Sequence, residues 1–299
     1  MADDPVRPVP SAWVRRLDAL ARGELTPPPV RRAATVVLLR DAAAPGGVEA
    51  YLLRRAASMA FAAGAYAFPG GSVDPRDAEA APRWAGPSPE EWGERLGVPA
   101  EDARAVVCAA VRETFEECGV LLAGPDAASV VADVSGPDWA AARAALEARE
   151  LSFGEFLARE GLVLRSDLLG AWSRWITPEW QDRRFDTWFF VAALPEGQRA
   201  AETVGEADRV EWLPPQAAVA AYESGEFSML PPTAATLREL TPCGSVAEAV
   251  TLAGKRAVRP VQGVAEALPG AGGYRLTWPG YPEFTMEGSR GAGRDGGSA

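Results

Sequence analysis

Three glutamates carry the chemistry this sequence offers. In the run Arg112-Glu113-Thr114-Phe115-Glu116-Glu117-Cys118-Gly119 the carboxylates recur at i, i+3 and i+4, which on a helix sets Glu113 beside both Glu116 and Glu117. Like charges so placed destabilise a helix by roughly a few tenths of a kcal/mol per pair. The same crowding suits a divalent cation with hard oxygen ligands, Mg²⁺ or Mn²⁺. Arg112, one turn before Glu116, is in place to pair with it and fix its rotamer. Upstream, the Phe68-Pro69-Gly70-Gly71 segment lets backbone approach a metal or phosphate closely, and Gly70 offers a carbonyl oxygen as a further ligand. The competing interpretation is a solvated acidic helix face, which a bare ExxEE spacing describes in most proteins.

The composition narrows the chemistry. A formal charge of -11 argues against a nucleic acid as the main partner, because phosphate neutralisation needs a basic face. An anionic substrate would then need cations. The 299 residues include no histidine, so the commonest general base and transition-metal ligand are missing, and catalysis is pushed toward carboxylates and hard cations. Cys108, Cys118 and Cys243 have spacings that fit neither a disulfide framework nor a zinc site, pointing to a reducing cytoplasm. The first residues lack a signal-peptide pattern, and no run approaches the 18 or so apolar residues of a membrane span. A soluble cytoplasmic protein with no membrane contact is expected.

The elements that must position these groups follow from periodicity. Residues 33–39 and 48–53 read as β-branched strands joined by a turn, and residues 65–71 as a short strand stopped by proline and glycine. Residues 74–99 read as a long surface loop with a short helix near Ser88-Pro89-Glu90-Glu91. The clearest helix runs from Pro99 to Gly119, with acids in its first turn, glycine past its last, and the apolar stripe Ala103, Val107, Val111, Phe115, Cys118. A helical region at 137–160, strands at 168–176, 185–194 and 209–213, and helices at 215–224 and within 231–254 complete the pattern. Strands and helices mix without regular alternation, which favours a mixed β-sheet flanked by helices over a doubly wound parallel fold. The organisation expected is an N-terminal tail at 1–30, one α/β domain at 31–255 with insertions near 78–98 and 125–165, and a C-terminal extension at 256–299 whose glycine-rich end is disordered.

Arg112-Glu113 and Glu116-Glu117 with Phe115, Gly119 and Val120, preceded by Pro69-Gly70-Gly71, resemble the box of the Nudix hydrolases. In that box a glycine and, after five intervening residues, a glutamate precede an R-E-U-x-E-E-x-G-U run by seven positions, U being bulky and aliphatic. Here Asp77 stands in the glutamate's place and 34 residues separate it from Arg112. A coenzyme A diphosphatase-like branch of the superfamily carries a long insertion at this point, and the runs LLRRAASMAFAAGAYAFPGG, CAAVRETFEECGVLL and WSRWITPEWQDRRFDTWFFVAAL are similar to it in order. The similarity spans roughly residues 33–215.

The resemblance implies the Nudix α/β/α sandwich and attack by metal-activated water on a nucleoside-diphosphate-linked small molecule, coenzyme A or acyl-coenzyme A. It implies Glu116 and Glu117 as metal ligands, Glu113 as ligand or base, Arg112 as their partner, and Glu206 as a further metal-binding or basic residue. Arg54 and Arg55, following an apolar strand, are candidates for substrate phosphates together with Gly71. A shorter side chain beyond a long insertion weighs against Asp77 keeping the glutamate's role toward Arg112. The alternatives are the same chemistry on ADP-ribose or another dinucleotide, and a silent Nudix domain that binds a nucleotide as a regulator. The two insertions are where a lid or a homodimer contact would be built.

Overall fold

The apolar run at 33–39 forms the strand Val30–Asp41, which turns back antiparallel on Val48–Arg55 with Leu39 opposite Ala50. Ala34, Val36 and Leu38 join one cluster with the long helix, while Val37 and Leu39, on the other face, are equally buried outside it. A strand covered on both faces needs helices on both sides of its sheet, and its apolar run is continuous for that reason. This computed structural model describes residues 7–43, 46–57, 62–79, 82–201, 207–270 and 272–289. The chain divides into two compact units, one of residues 32–174 and 187–259 and one of residues 1–31, 175–186 and 260–299.

The main sheet includes, in order, the strands Ala207–Leu213, Val48–Arg55, Val30–Asp41, Arg184–Ala193 and Gly170–Ile176, most of their residues belonging to the larger unit. Two short strands attach to it, Tyr66–Ala67 on Val48–Arg55 and Gly70–Ser72 on Val30–Asp41. A second, mixed sheet joins Val163–Arg165 in parallel to Arg83–Ala85 and antiparallel to Ala123–Gly124. The long helix spans Ala100–Cys118. Glu101 and Asp102 complement its positive N-terminus, and Gly119, at φ 68°, takes the left-handed conformation that ends it. Its buried surface is wider than the expected stripe and includes Ala105, Val106, Cys108, Ala109 and Ala110.

The segment read as a surface loop at 74–99 is folded. It contains the helix Pro75–Glu79, the strand Arg83–Ala85 and the helix Pro89–Leu96, which Ser88 and Glu91 close with a reciprocal capping box. These elements are only 5, 3 and 8 residues long, too short for periodicity to register. Trp92 and Leu96 are fully buried, and the Trp92 ring meets Phe190 edge-on at 5.8 Å between centroids. This insertion is part of the core.

The second unit takes up the segments read as tail and extension. Its sheet has the order Arg7–Pro8, Met286–Ser289, Gly273–Thr277, Val264–Leu268, beside the helix Ser11–Ala21. The Tyr274 hydroxyl donates to Asp18 at 2.9 Å, joining that helix to the sheet. The glycine-rich end from residue 290 lies outside the described residues. No helix among the described residues is long and apolar enough to cross a membrane.

Because Trp92 is core, Trp92→Ala is expected to destabilise the protein by about 3–5 kcal/mol. Urea unfolding followed by fluorescence checks this, and a loss under about 1 kcal/mol would return the segment to the surface.

Candidate functional site

A glycine strand and a helix end meet at the site. Gly70–Ser72 is anchored on the central strand, with Gly70 opposite Thr35 and Gly71 opposite Ala34, and the Val36 N–H donates to the Pro69 carbonyl at 2.9 Å. From there the Gly70 N–H donates to Glu117 Oε2 at 2.8 Å. A side chain at the next position would displace the carboxylate: a Cβ on Gly71 would lie 2.5 Å from Glu113 Oε1 and 2.6 Å from Oε2. The backbone and the carboxylate are in direct contact.

Arg112 binds the rest of the cluster together. Its Nε and Nη2 each donate to Asp77 at 3.0 Å, its Nη1 to Glu113 Oε1 at 2.8 Å and to Glu116 Oε2 at 3.1 Å, and its Nη2 also to the Ser72 carbonyl at 2.9 Å. Asp77 is 2% exposed. The bidentate fork to a buried aspartate is the geometry guanidinium forms best. The sequence weighed against Asp77 in this role, and the structure puts it there. The helix Pro75–Glu79 carries Asp77 directly onto the long helix, so a reach shorter than glutamate's suffices.

Burial dominates the electrostatics. It pushes Glu113 up to about 7, with Arg112 pulling it down and Glu116 and Asp77 adding to the rise. Burial also raises Glu116 and Asp77, each opposed by Arg112. For Arg112 itself burial lowers the pKa, but the surrounding carboxylates, Glu113 foremost, more than reverse this and the net shift is upward. Groups this close titrate as a cluster.

Glu113, Glu116, Glu117, Arg112, Gly70 and Gly71 are thus brought together. Arg54 is paired with Asp208 at 2.7 Å and stands opposite Arg209 across the strands. Arg55 follows it on the same strand, so the two side chains leave opposite faces. Glu206 falls outside the described residues.

Among the described residues no group of three or more acidic or cysteine side chains closes around a single point. Glu113 and Glu116 turn one oxygen each to Arg112, and Glu117 turns one to Gly70. Glu116 Oε1, however, is buried without a hydrogen-bond partner, a costly state for a carboxylate oxygen that a cation relieves. With hard oxygen donors throughout and backbone open beside Glu113, these residues fit a divalent cation.

A helix carboxylate cluster is thus joined to a glycine strand on a helix-flanked sheet. A family model described as the NUDT19 Nudix domain matches residues 88–240, and the chain belongs to the Nudix hydrolases. It is 28% identical over 282 residues to the acyl-coenzyme A diphosphatase NUDT19 of Homo sapiens, covering 81% of this chain and 72% of that protein. To the Gallus gallus protein of the same name it is 28% identical over 305 residues, covering 85% and 80%. Among solved structures, a Nudix hydrolase from Alicyclobacillus acidocaldarius matches with a TM-score of 0.63 and 31% identity, over 75% of this chain and 96% of that one. The family uses divalent metals in general.

Two outcomes follow from the contacts. Gly71→Ala is expected to displace the Glu113 carboxylate and lower hydrolytic activity by about tenfold or more, read as kcat beside an unchanged fold by circular dichroism. Activity equal to wild type would show that Glu113 does not depend on this approach. The second concerns pH. A carboxyl raised from 4.5 to about 7 holds, in the folded state, a proton that the unfolded chain has released. Its stabilising contribution is therefore full below pH 4.5 and lost as pH rises through 7. With no histidine to titrate in this window, the Tm of the metal-free protein is expected to fall between pH 5 and 7.5. A flat or rising Tm contradicts the burial of Glu113.

Proposed function

We propose that this chain hydrolyses the diphosphate bond of coenzyme A or an acyl-coenzyme A, with Mg²⁺ or Mn²⁺ held by Glu113, Glu116, Glu117 and the Gly70 carbonyl. The observation that carries the reading is the buried Arg112 clamp, which gathers two of these carboxylates beside the glycine strand, with the orphaned Glu116 Oε1 among them. The substrate class rests on the names of the human and chicken relatives. When bound, the cation supplies a water of lowered pKa and offsets the charge of the diphosphate.

The chain's own residues do the rest in this reading. Glu113 is ligand or base; as base, its Oε2, the oxygen not bonded to Arg112, takes a proton from the attacking water. Arg112 holds the rotamers of Glu113 and Glu116, and Asp77 holds Arg112. Gly71, whose missing side chain lets its backbone lie against the Glu113 carboxylate, is the glycine on the substrate side in this reading. Arg54 or Arg55 meets a more distant phosphate of the substrate, and Glu206 assists at the metal. The three free, buried cysteines support a reducing, cytoplasmic setting.

The test is hydrolysis of coenzyme A, an acyl-coenzyme A and ADP-ribose by the purified protein in Mg²⁺ or Mn²⁺. Coenzyme A species are expected to be cleaved fastest. Glu117→Gln is expected to lower kcat more than about a hundredfold, since removing even an outer-shell partner typically costs 10–100-fold. Faster turnover of ADP-ribose would overturn the substrate, and nucleotide binding without turnover would overturn the enzyme reading.

A further inference from the structure

The last turn of the long helix bears two of the proposed metal ligands, and its carbonyls end among donors from distant parts of the chain. Phe115 O receives the Gly119 N–H at 2.9 Å, and Cys118 O receives the Ala201 N–H at 2.8 Å. The two between them, on Glu116 and Glu117, are both taken by Arg143: its Nε donates to Glu116 O at 2.5 Å and its Nη2 to Glu117 O at 3.4 Å. A helix end leaves its last carbonyls without helical partners, and a cation there also meets the negative end of the helix dipole. The contact is close on the far side as well, since a Cβ on Gly119 would lie 3.2 Å from Arg143 Nη1.

Arg143 comes from the helix Pro137–Glu147, in the insertion that the hydrolytic chemistry leaves without a role. That insertion is packed against the same turn. Trp139 meets Phe115 edge-on at 6.4 Å, Phe156 stacks on Phe115 at 5.3 Å, and Trp139 meets Phe156 at 6.1 Å. Phe115 lies between the first and second of the three glutamates. Glu147 holds Arg143 from its own helix at 3.3 Å.

We infer that Arg143 is a positioning residue for the metal site: the second insertion sets the orientation of Glu116 and Glu117 by gripping their own carbonyl oxygens. The inference rests on the reading of these carboxylates as metal ligands. Arg112 fixes the glutamates from the side-chain end and Arg143 from the backbone end. Lysine keeps the charge but not the two-pronged donor, so it restores the grip only in part.

The test compares wild type, Arg143→Ala, Arg143→Lys and, as a control, Arg159→Ala, an arginine of the same insertion in an exposed ion pair with Glu160. Mn²⁺ binding is measured directly by calorimetry or electron paramagnetic resonance on the full chain, alongside Tm and, where turnover is present, the Mn²⁺ concentration for half-maximal rate. Arg143→Ala is expected to weaken Mn²⁺ binding and raise that concentration by about tenfold, with KM for the diphosphate substrate within about twofold of wild type. Arg143→Lys is expected to fall between, and Arg159→Ala to match wild type. Should Arg143→Ala fail to fold, the lysine variant carries the comparison. Unchanged Mn²⁺ affinity in the folded Arg143 variants, with or without a lowered Tm, overturns the inference. Wild type that binds no Mn²⁺ overturns it together with the metal reading. Wild type that binds Mn²⁺ yet cleaves nothing overturns only the proposed reaction, and the affinity comparison still decides the role of Arg143.

Discussion

One buried guanidinium holds the functional half of this protein together. Arg112 donates to Asp77, Glu113, Glu116 and the Ser72 carbonyl, so four separate groups are oriented by one planar cation. Taking that charge out of water is expensive, and the expense is met by the hydrogen bonds around it. Removing one partner from such a network costs roughly 3–5 kcal/mol, because the others are left buried and unpaired. The arrangement also carries a surplus of negative charge: three carboxylates face one cation, and burial raises all three toward the protonated form. A divalent ion relieves that surplus, which links the stability of the site to the chemistry proposed for it.

The two insertions are bound into this network instead of hanging from it. The first follows directly on Asp77, the residue that locks the guanidinium, and contains a helix whose Trp92 and Leu96 are fully buried. The second provides Arg143 and the aromatic residues around Phe115. A box split by 34 residues in sequence is thereby closed in space, because the helix Pro75–Glu79 sets Asp77 against the long helix. Contiguity along the chain matters less here than contact.

Much of the fold was legible. The strand pair at 33–53, the long helix with its glycine stop and the later strands and helices are long or strongly patterned, and their periods survive in a single sequence. The short elements between Asp74 and Pro99 were not, since three turns or fewer present no period, and only the Ser-Pro-Glu-Glu start of one helix stood out. The strands from Val264 onward were missed for a similar reason, being five residues or fewer. At the site, the spacing of Glu113, Glu116 and Glu117 and the pairing of Glu116 with Arg112 were readable because all four lie within one helix. The bond from Gly70 to Glu117, the contact of Gly71 with Glu113 and the grip of Arg143 on two carbonyls depend on tertiary packing that spacing does not encode. Asp77 was readable by position and discounted on reach, which only the placement of its helix decides.

The central claim is that the cluster around Arg112 is a divalent-cation site in which Glu116 Oε1 finds its missing partner. Anomalous diffraction from crystals grown with Mn²⁺ tests it most directly. The account predicts a peak roughly 2.1 Å from oxygens of Glu116 and at least one of Glu113 and Glu117, near the distance of hard divalent ions. Density with Mn²⁺ bound only elsewhere, and Glu116 Oε1 still without a partner, would contradict it.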